Sequence, residues 1–157
     1  MDDVTIARAL HVLAIVHWIG GVAMVTLVIL PALGPLAAPE RRLDLFEVIE
    51  GRFGGQARWS VTLAGVTGFW MTWRLDAWDR FLEPGYWWMH TMVAVWAVFT
   101  VILFVAEPLF LHAWFRRRAK RDPEGVAVLV LRAHRVLLAA ATVTILGAVL
   151  GAHGLLY

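Results

Sequence analysis

The sequence contains no cysteine, which excludes disulfide frameworks, thiolate zinc sites, iron–sulfur clusters, covalent c-type haem and thiol nucleophiles. Charge is sparse as well: 17% of the 157 residues are Asp, Glu, Lys or Arg, where soluble domains carry about 25%. The net charge is only +2, and the basic residues sit where a membrane protein puts them, which speaks against a nucleic-acid reading. What the chain does have is hydrocarbon: 61% of its residues are hydrophobic, gathered into long uncharged runs. A water-soluble globule cannot bury that much apolar surface, so a lipid bilayer is the expected solvent.

Four apolar segments follow one another along the chain, at 9–30, 59–73, 84–115 and 136–157. A helix needs about 20 residues to cross the hydrocarbon core, and the second segment falls short of that. Its flanking Arg58 and Arg74 are therefore expected to snorkel toward the headgroups, or the helix to run on to about Trp78. The expected fold is all-α: a single domain over 1–157, a four-transmembrane-helix bundle with short connections. Alternate loops face the same side of a membrane, so the basic residues set the orientation. Arg41, Arg42, Arg52, Arg58, Arg116, Arg117, Arg118, Lys120, Arg121, Arg132 and Arg135 belong to the first and third loops and their flanks, against Arg8, Arg74 and Arg80 on the other side. The positive-inside rule then puts the first group in the cytoplasm and both termini in the periplasm, as in a multi-pass protein of the bacterial inner membrane. Asp2 and Asp3 stand where a cleavable signal peptide would need positive charge.

The first loop is more than a tether. Leu43, Phe46, Val48, Ile49 and Phe53 recur at helical spacing among charges, predicting a short amphipathic cytoplasmic helix between helices 1 and 2 that ends at Gly54-Gly55. Among nine tryptophans, Trp59, Trp73, Trp78, Trp87, Trp88 and Trp114 fall near the expected interfaces, while Trp18, Trp70 and Trp96 lie deeper. Gly65, Gly68, Gly147 and Gly151 are the expected close-packing points between helices.

Chemistry is most readily read from the six histidines, because an imidazole in hydrocarbon must be paired, metal-bound or face a polar cavity. On this topology His11, His90 and His153, from three different helices, lie within about two turns of the outer surface. His17 is about 9 Å deeper than His11 and turned about 120° from it, so those two cannot share one ligand plane. His112 and His134 lie near the cytoplasmic ends of helices 3 and 4. Thiolates are absent and Glu107 is the only clearly intramembrane acid, so the inventory suits a flat macrocycle held by imidazoles from separate helices, haem b. Gly20 and Gly21 would leave room for a porphyrin edge; a second, inner haem held by His112 and His134, as in small di-haem b-type cytochromes, would have Arg132 and Arg135 for its propionates, although these two are more simply positive-inside residues. Glu107 beside Pro108 reads in two ways: as a mark of proton or quinone chemistry, or as an acid paired with Arg135 or His134 where the proline frees a carbonyl.

The segments ALHVLAIVHWIGGV at 9–22, FEVIEGRFG at 46–54, AGVTGFW at 64–70 and WWMH at 87–90 resemble the small membrane family that includes the HemJ-type protoporphyrinogen oxidases and the copper-resistance protein CopD. The similarity is scattered over nearly the whole chain. It implies a four-helix bundle core, with haem b and His11 as the matching histidine on the HemJ branch, and periplasmic copper handling on the CopD branch. HemJ-type sequences carry a lysine two residues after the histidine of helix 3, where this chain has Met92, so porphyrinogen oxidation does not carry over with the fold.

The expected function is an integral membrane b-type haem protein with a redox role, either electron transfer or HemJ-like porphyrinogen oxidation. His11 and His90 are the expected iron ligands, with His153 or His17 as substitutes. A quinone or a periplasmic protein would be the redox partner, and self-association into a homo-oligomer stays open. The alternative is a CopD-like copper-binding or copper-transport protein using Met89, His90 and Met92, since thioether and imidazole together suit Cu(I). Methionine is also a common filler of helix packing. A third reading is a scaffold subunit without a cofactor.

Overall fold

The computed structural model describes residues 2–156, apart from the side chains of Pro39, Glu40 and Leu43. It has four long helices: α1, Asp2–Leu36; α2, Pro39–Arg74; α3, Pro84–Ala119; and α4, Pro123–Ala152. No strand occurs among the described residues. α1, α3 and α4 are long and apolar enough to cross a membrane. The connections at 37–38 and 120–122 are too short for anything but a reversal, so α1 runs back along α2 and α3 along α4. Both ends of the described chain therefore lie at one end of the bundle, the terminal end, and those two connections lie at the other, the basic end.

Residue chemistry explains the helix ends. Asp2 and Asp3 stand in the first turn of α1, where the helix dipole favours negative charge. Pro39 and Pro123 occupy first-turn positions of α2 and α4, where a missing N–H costs nothing, and the Asp122 carboxylate accepts from the Gly125 N–H at 2.8 Å. At the terminal end Arg74 Nε donates to Asp3 at 2.6 Å and ties the last turn of α2 to the first turn of α1. Two π-helical segments interrupt the regular pattern, Val25–Ile29 just before Pro31 and Ile102–Leu111 around Pro108. A proline has no N–H to close the ladder, and a widened turn lets the helix pass it.

α2 corrects the sequence reading. The amphipathic stretch does not end at Gly54-Gly55; it is the first half of one continuous helix of 36 residues that also holds the second apolar segment. Glycine costs a helix about 1 kcal/mol relative to alanine. Gly54, however, is buried against α3, and its missing Cβ lets the Glu107 carboxylate come within 3.2 Å of where that atom would stand. Tertiary packing thereby overrides a local stop signal. Along the expected apolar face Phe46 is buried, Phe53 packs on the core and Val48 is exposed, while Leu43 lies outside the described side chains.

All four helices contribute to the core. Ala14, Trp18, Ile19 and Val22 of α1 meet Val61 and Ala64 of α2, Phe99 of α3 and Ala141 of α4, with the Trp18 ring edge-on to Phe99 at 4.9 Å. Nearer the basic end Val25, Phe46, Val126 and Val130 form a second cluster. Outward-facing Leu13, Val16, Leu27, Leu109 and Val136 are all largely exposed, as lipid-facing side chains would be. The expected close-packing glycines are seats for rings: Gly65 takes Trp96, Gly68 takes His11, and Gly147 and Gly151 take Trp87 and Trp88. Of the tryptophans, Trp88 is buried at 8% exposure and Trp70 is 43% exposed.

Candidate functional site

His11 is half-buried on the face of α1 that packs on α2. Its Nδ1 lies 2.9 Å from the Ala64 carbonyl oxygen and 3.0 Å from Thr67 Oγ1. A carbonyl can only accept, so the ring proton sits on Nδ1. Thr67 gives its own proton to the Leu63 carbonyl at 2.6 Å, which leaves its oxygen free to accept from His11 too. Gly68 lies against the ring, with Cε1 3.2 Å from the place of a Cβ. The imidazole is thus held in one tautomer, with a lone pair on Nε2. An imidazole whose second nitrogen is tied to a carbonyl is the arrangement that metal-bound histidines share.

The other candidate ligands are scattered. His17 is exposed and its Nδ1 lies 2.8 Å from Ser60 Oγ. His90 is exposed, its ring edge-on to Phe81 at 5.3 Å. His153 is exposed at the end of α4 and its Nδ1 donates to the Val149 carbonyl at 2.8 Å. No contact brings His90, His153 or His17 to the His11 ring, which faces Ala64, Thr67 and Gly68. Met89 is buried, Met92 half-buried and His90 exposed, so the copper set faces different surroundings. Among the described residues no group of three or more His, Asp or Glu converges on a metal-sized site. Of the two glycines expected to admit a porphyrin edge, Gly20 faces open space, but the place beside Gly21 is filled by the Phe53 ring.

Glu107 is paired otherwise than expected. Its partners are neither Arg135, which is exposed on α4, nor His134, whose Nδ1 donates to the Val130 carbonyl at 2.9 Å. The Glu107 carboxylate, 8% exposed, lies 3.3 Å from the Arg58 guanidinium and 3.6 Å from His112 Nε2. Arg58 also reaches the backbone of α3: its Nε donates to the Leu103 carbonyl at 3.0 Å. In a π-helical register a carbonyl bonds the N–H five residues on, and for Leu103 that residue is Pro108, which has none. One guanidinium thus caps the carbonyl that the proline orphans and neutralises the acid beside it.

From His112 the network continues to the basic end. Its Nδ1 lies 3.8 Å from Glu47, and Glu47 binds Arg116, whose Nη2 donates at 2.6 Å and whose Nε donates at 2.9 Å. Sequence reasoning singled out Glu107 and missed these partners, although the signal was present in Pro108 and in an arginine at the edge of the short second segment. Comparison of the chain with protein-family models, with curated proteins and with solved structures returned no match.

Proposed function

We propose that the chain is an integral membrane haem protein with a redox role, in which His11 is an iron ligand. The observation that carries this reading is the bond from His11 Nδ1 to the Ala64 carbonyl, which fixes the tautomer a metal ligand needs. Haem b, when bound, supplies one-electron chemistry. The chain supplies the imidazole, the ring of contacts that orients it, and an apolar core below it that lowers the local dielectric. Trp18 and Phe99 fill the middle of the bundle, about 10 Å along α1 from His11, so the group belongs nearer the terminal end. His90 would supply a second imidazole to the group, with His153 or His17 as substitutes.

The same proposal includes four membrane crossings, with α2 as the fourth span, the basic end in the cytoplasm and both termini in the periplasm. Its support is the asymmetry of the basic residues and the length of α2, about 54 Å, which exceeds a hydrocarbon layer of about 30 Å. Purified after expression with haem supplied, the protein is expected to show a Soret band. His11→Ala should lose most of the bound haem, and His134→Ala should keep it. A colourless wild type, or a band indifferent to His11→Ala, contradicts the proposal.

A further inference from the structure

The bundle has a cavity of about 220 Å³ at its basic end, between the last turns of α1 and the first turns of α2 and α4. Gly34 and Ala127 in its wall offer little side chain to fill it, and the place of a Cβ on Gly34 has nothing within 4 Å. Leu33, Phe46 and Val126 give the rest of the wall an apolar surface. Exposed Pro31 and Val128 also line it, so the cavity opens outward. Its volume falls short of the about 300–1,000 Å³ of a site for a drug-sized ring system, which leaves haem to the other end of the bundle and suits a length of chain.

One cation belongs to the wall. Arg42 is pinned across the end of α1: its Nε donates to the Ala37 carbonyl at 3.0 Å and its Nη2 to the Gly34 carbonyl at 2.8 Å. A guanidinium has five N–H groups, and the other three keep their capacity for an anion. Lys120 and Arg121 are exposed just before Pro123, which lines the cavity, and Arg132 is exposed just after Leu131, which also lines it. Among the described side chains the acids of this end do not cancel these charges. Asp122 accepts from the Gly125 N–H, Glu47 is held by Arg116, and neither Asp44 nor Glu124 lines the cavity. The uncharged run of α4 begins only at Val136, which sets the cavity at the depth of the headgroups.

We propose that this cavity seats one anionic phospholipid of the cytoplasmic leaflet, with its phosphate on Arg42 and its glycerol and first methylenes against Leu33, Phe46 and Val126. The inference rests on the membrane reading of the bundle and not on haem. An apolar wall with a cation fixed in it matches the part of a phospholipid where chain gives way to charge, and basic pockets between membrane helices on the cytoplasmic side bind such headgroups. A bare acyl chain would make no use of Arg42, and a free phosphate none of the apolar wall.

Native mass spectrometry of the full chain, carried in detergent and incubated with phosphatidylglycerol or with phosphatidylcholine of the same chains, counts the bound lipid. One phosphatidylglycerol is expected to be retained, about fivefold more readily than phosphatidylcholine, the worth of a single cation against an anionic headgroup. Arg42→Gln should bring the two lipids level. Gly34→Leu and Ala127→Phe leave every cation in place and fill the cavity, so each should remove the bound phosphatidylglycerol. Gly34→Leu keeps the test open should Arg42→Gln fail to fold, because its side chain enters open space and leucine is the better helix former. Arg8→Gln, at the terminal end, should change nothing. Equal retention of both lipids by the wild type overturns the proposal, as does retention that survives both cavity-filling variants or complete displacement by inorganic phosphate. A chain that stays dispersed in water without detergent would instead overturn the membrane reading itself.

Discussion

Replacing Arg58 by leucine is expected to destabilise the bundle by about 3–5 kcal/mol. Two losses coincide. Glu107, at 8% exposure, keeps only His112 at 3.6 Å, and the Leu103 carbonyl loses the donor that stands in for the N–H missing from Pro108. Arg58 itself is 37% exposed, which argues for the lower part of that range. The double replacement Arg58→Leu with Glu107→Leu removes the stranded charge and is expected to regain part of the loss, leaving the orphaned carbonyl as the residual cost. Helical circular dichroism against a rising fraction of denaturing detergent measures both. A single variant that costs less than about 1 kcal/mol would show that the pair does not hold the helices together.

The second large effect belongs to Gly65. A Cβ there would stand 2.7 Å from Trp96 ring atoms, and that ring cannot swing aside freely because Trp96 Nε1 donates to the Val61 carbonyl at 2.9 Å. Gly65→Ala is expected to cost about 1–3 kcal/mol, even though alanine is the better helix former, because overpacking outweighs propensity. Gly21→Ala meets only the far end of the Phe53 side chain and should be milder. Trp96→Phe in the Gly65→Ala background removes the contacted indole atoms, so the two changes together should cost less than their sum. Strict additivity in the same unfolding assay would place the strain elsewhere.

The helical class and the three strongest apolar segments were legible because hydrocarbon content and span length are read directly from composition. The run through Gly54-Gly55 was not. Glycine is a local stop signal, and what overrides it is the carboxylate of Glu107, more than 50 residues away in sequence. The same distance hid the partners of Glu107. Composition identifies a costly acid beside a proline, but only the alignment of 47–58 with 103–116 shows that Arg58, His112 and Glu47 answer it. His11 was legible as an imidazole within an apolar helix, yet its tautomer follows from Ala64 and Thr67, which no spacing rule couples to it. The aromatic-belt rule speaks to the depth of Trp88 alone, and that two glycines of α4 admit its ring to the protein interior is not carried by that rule.

The four-crossing reading depends on α2, because that helix must carry the chain from Arg41 at the basic end to Asp79 at the terminal end. Cysteine is absent from the chain, so single cysteines introduced at Arg41, Asp79 and Lys120, all exposed, each report one position. In intact cells a membrane-impermeant thiol reagent is expected to label Asp79→Cys at once, and Arg41→Cys and Lys120→Cys only after permeabilisation. Labelling of Arg41→Cys and Asp79→Cys from the same side would contradict the crossing.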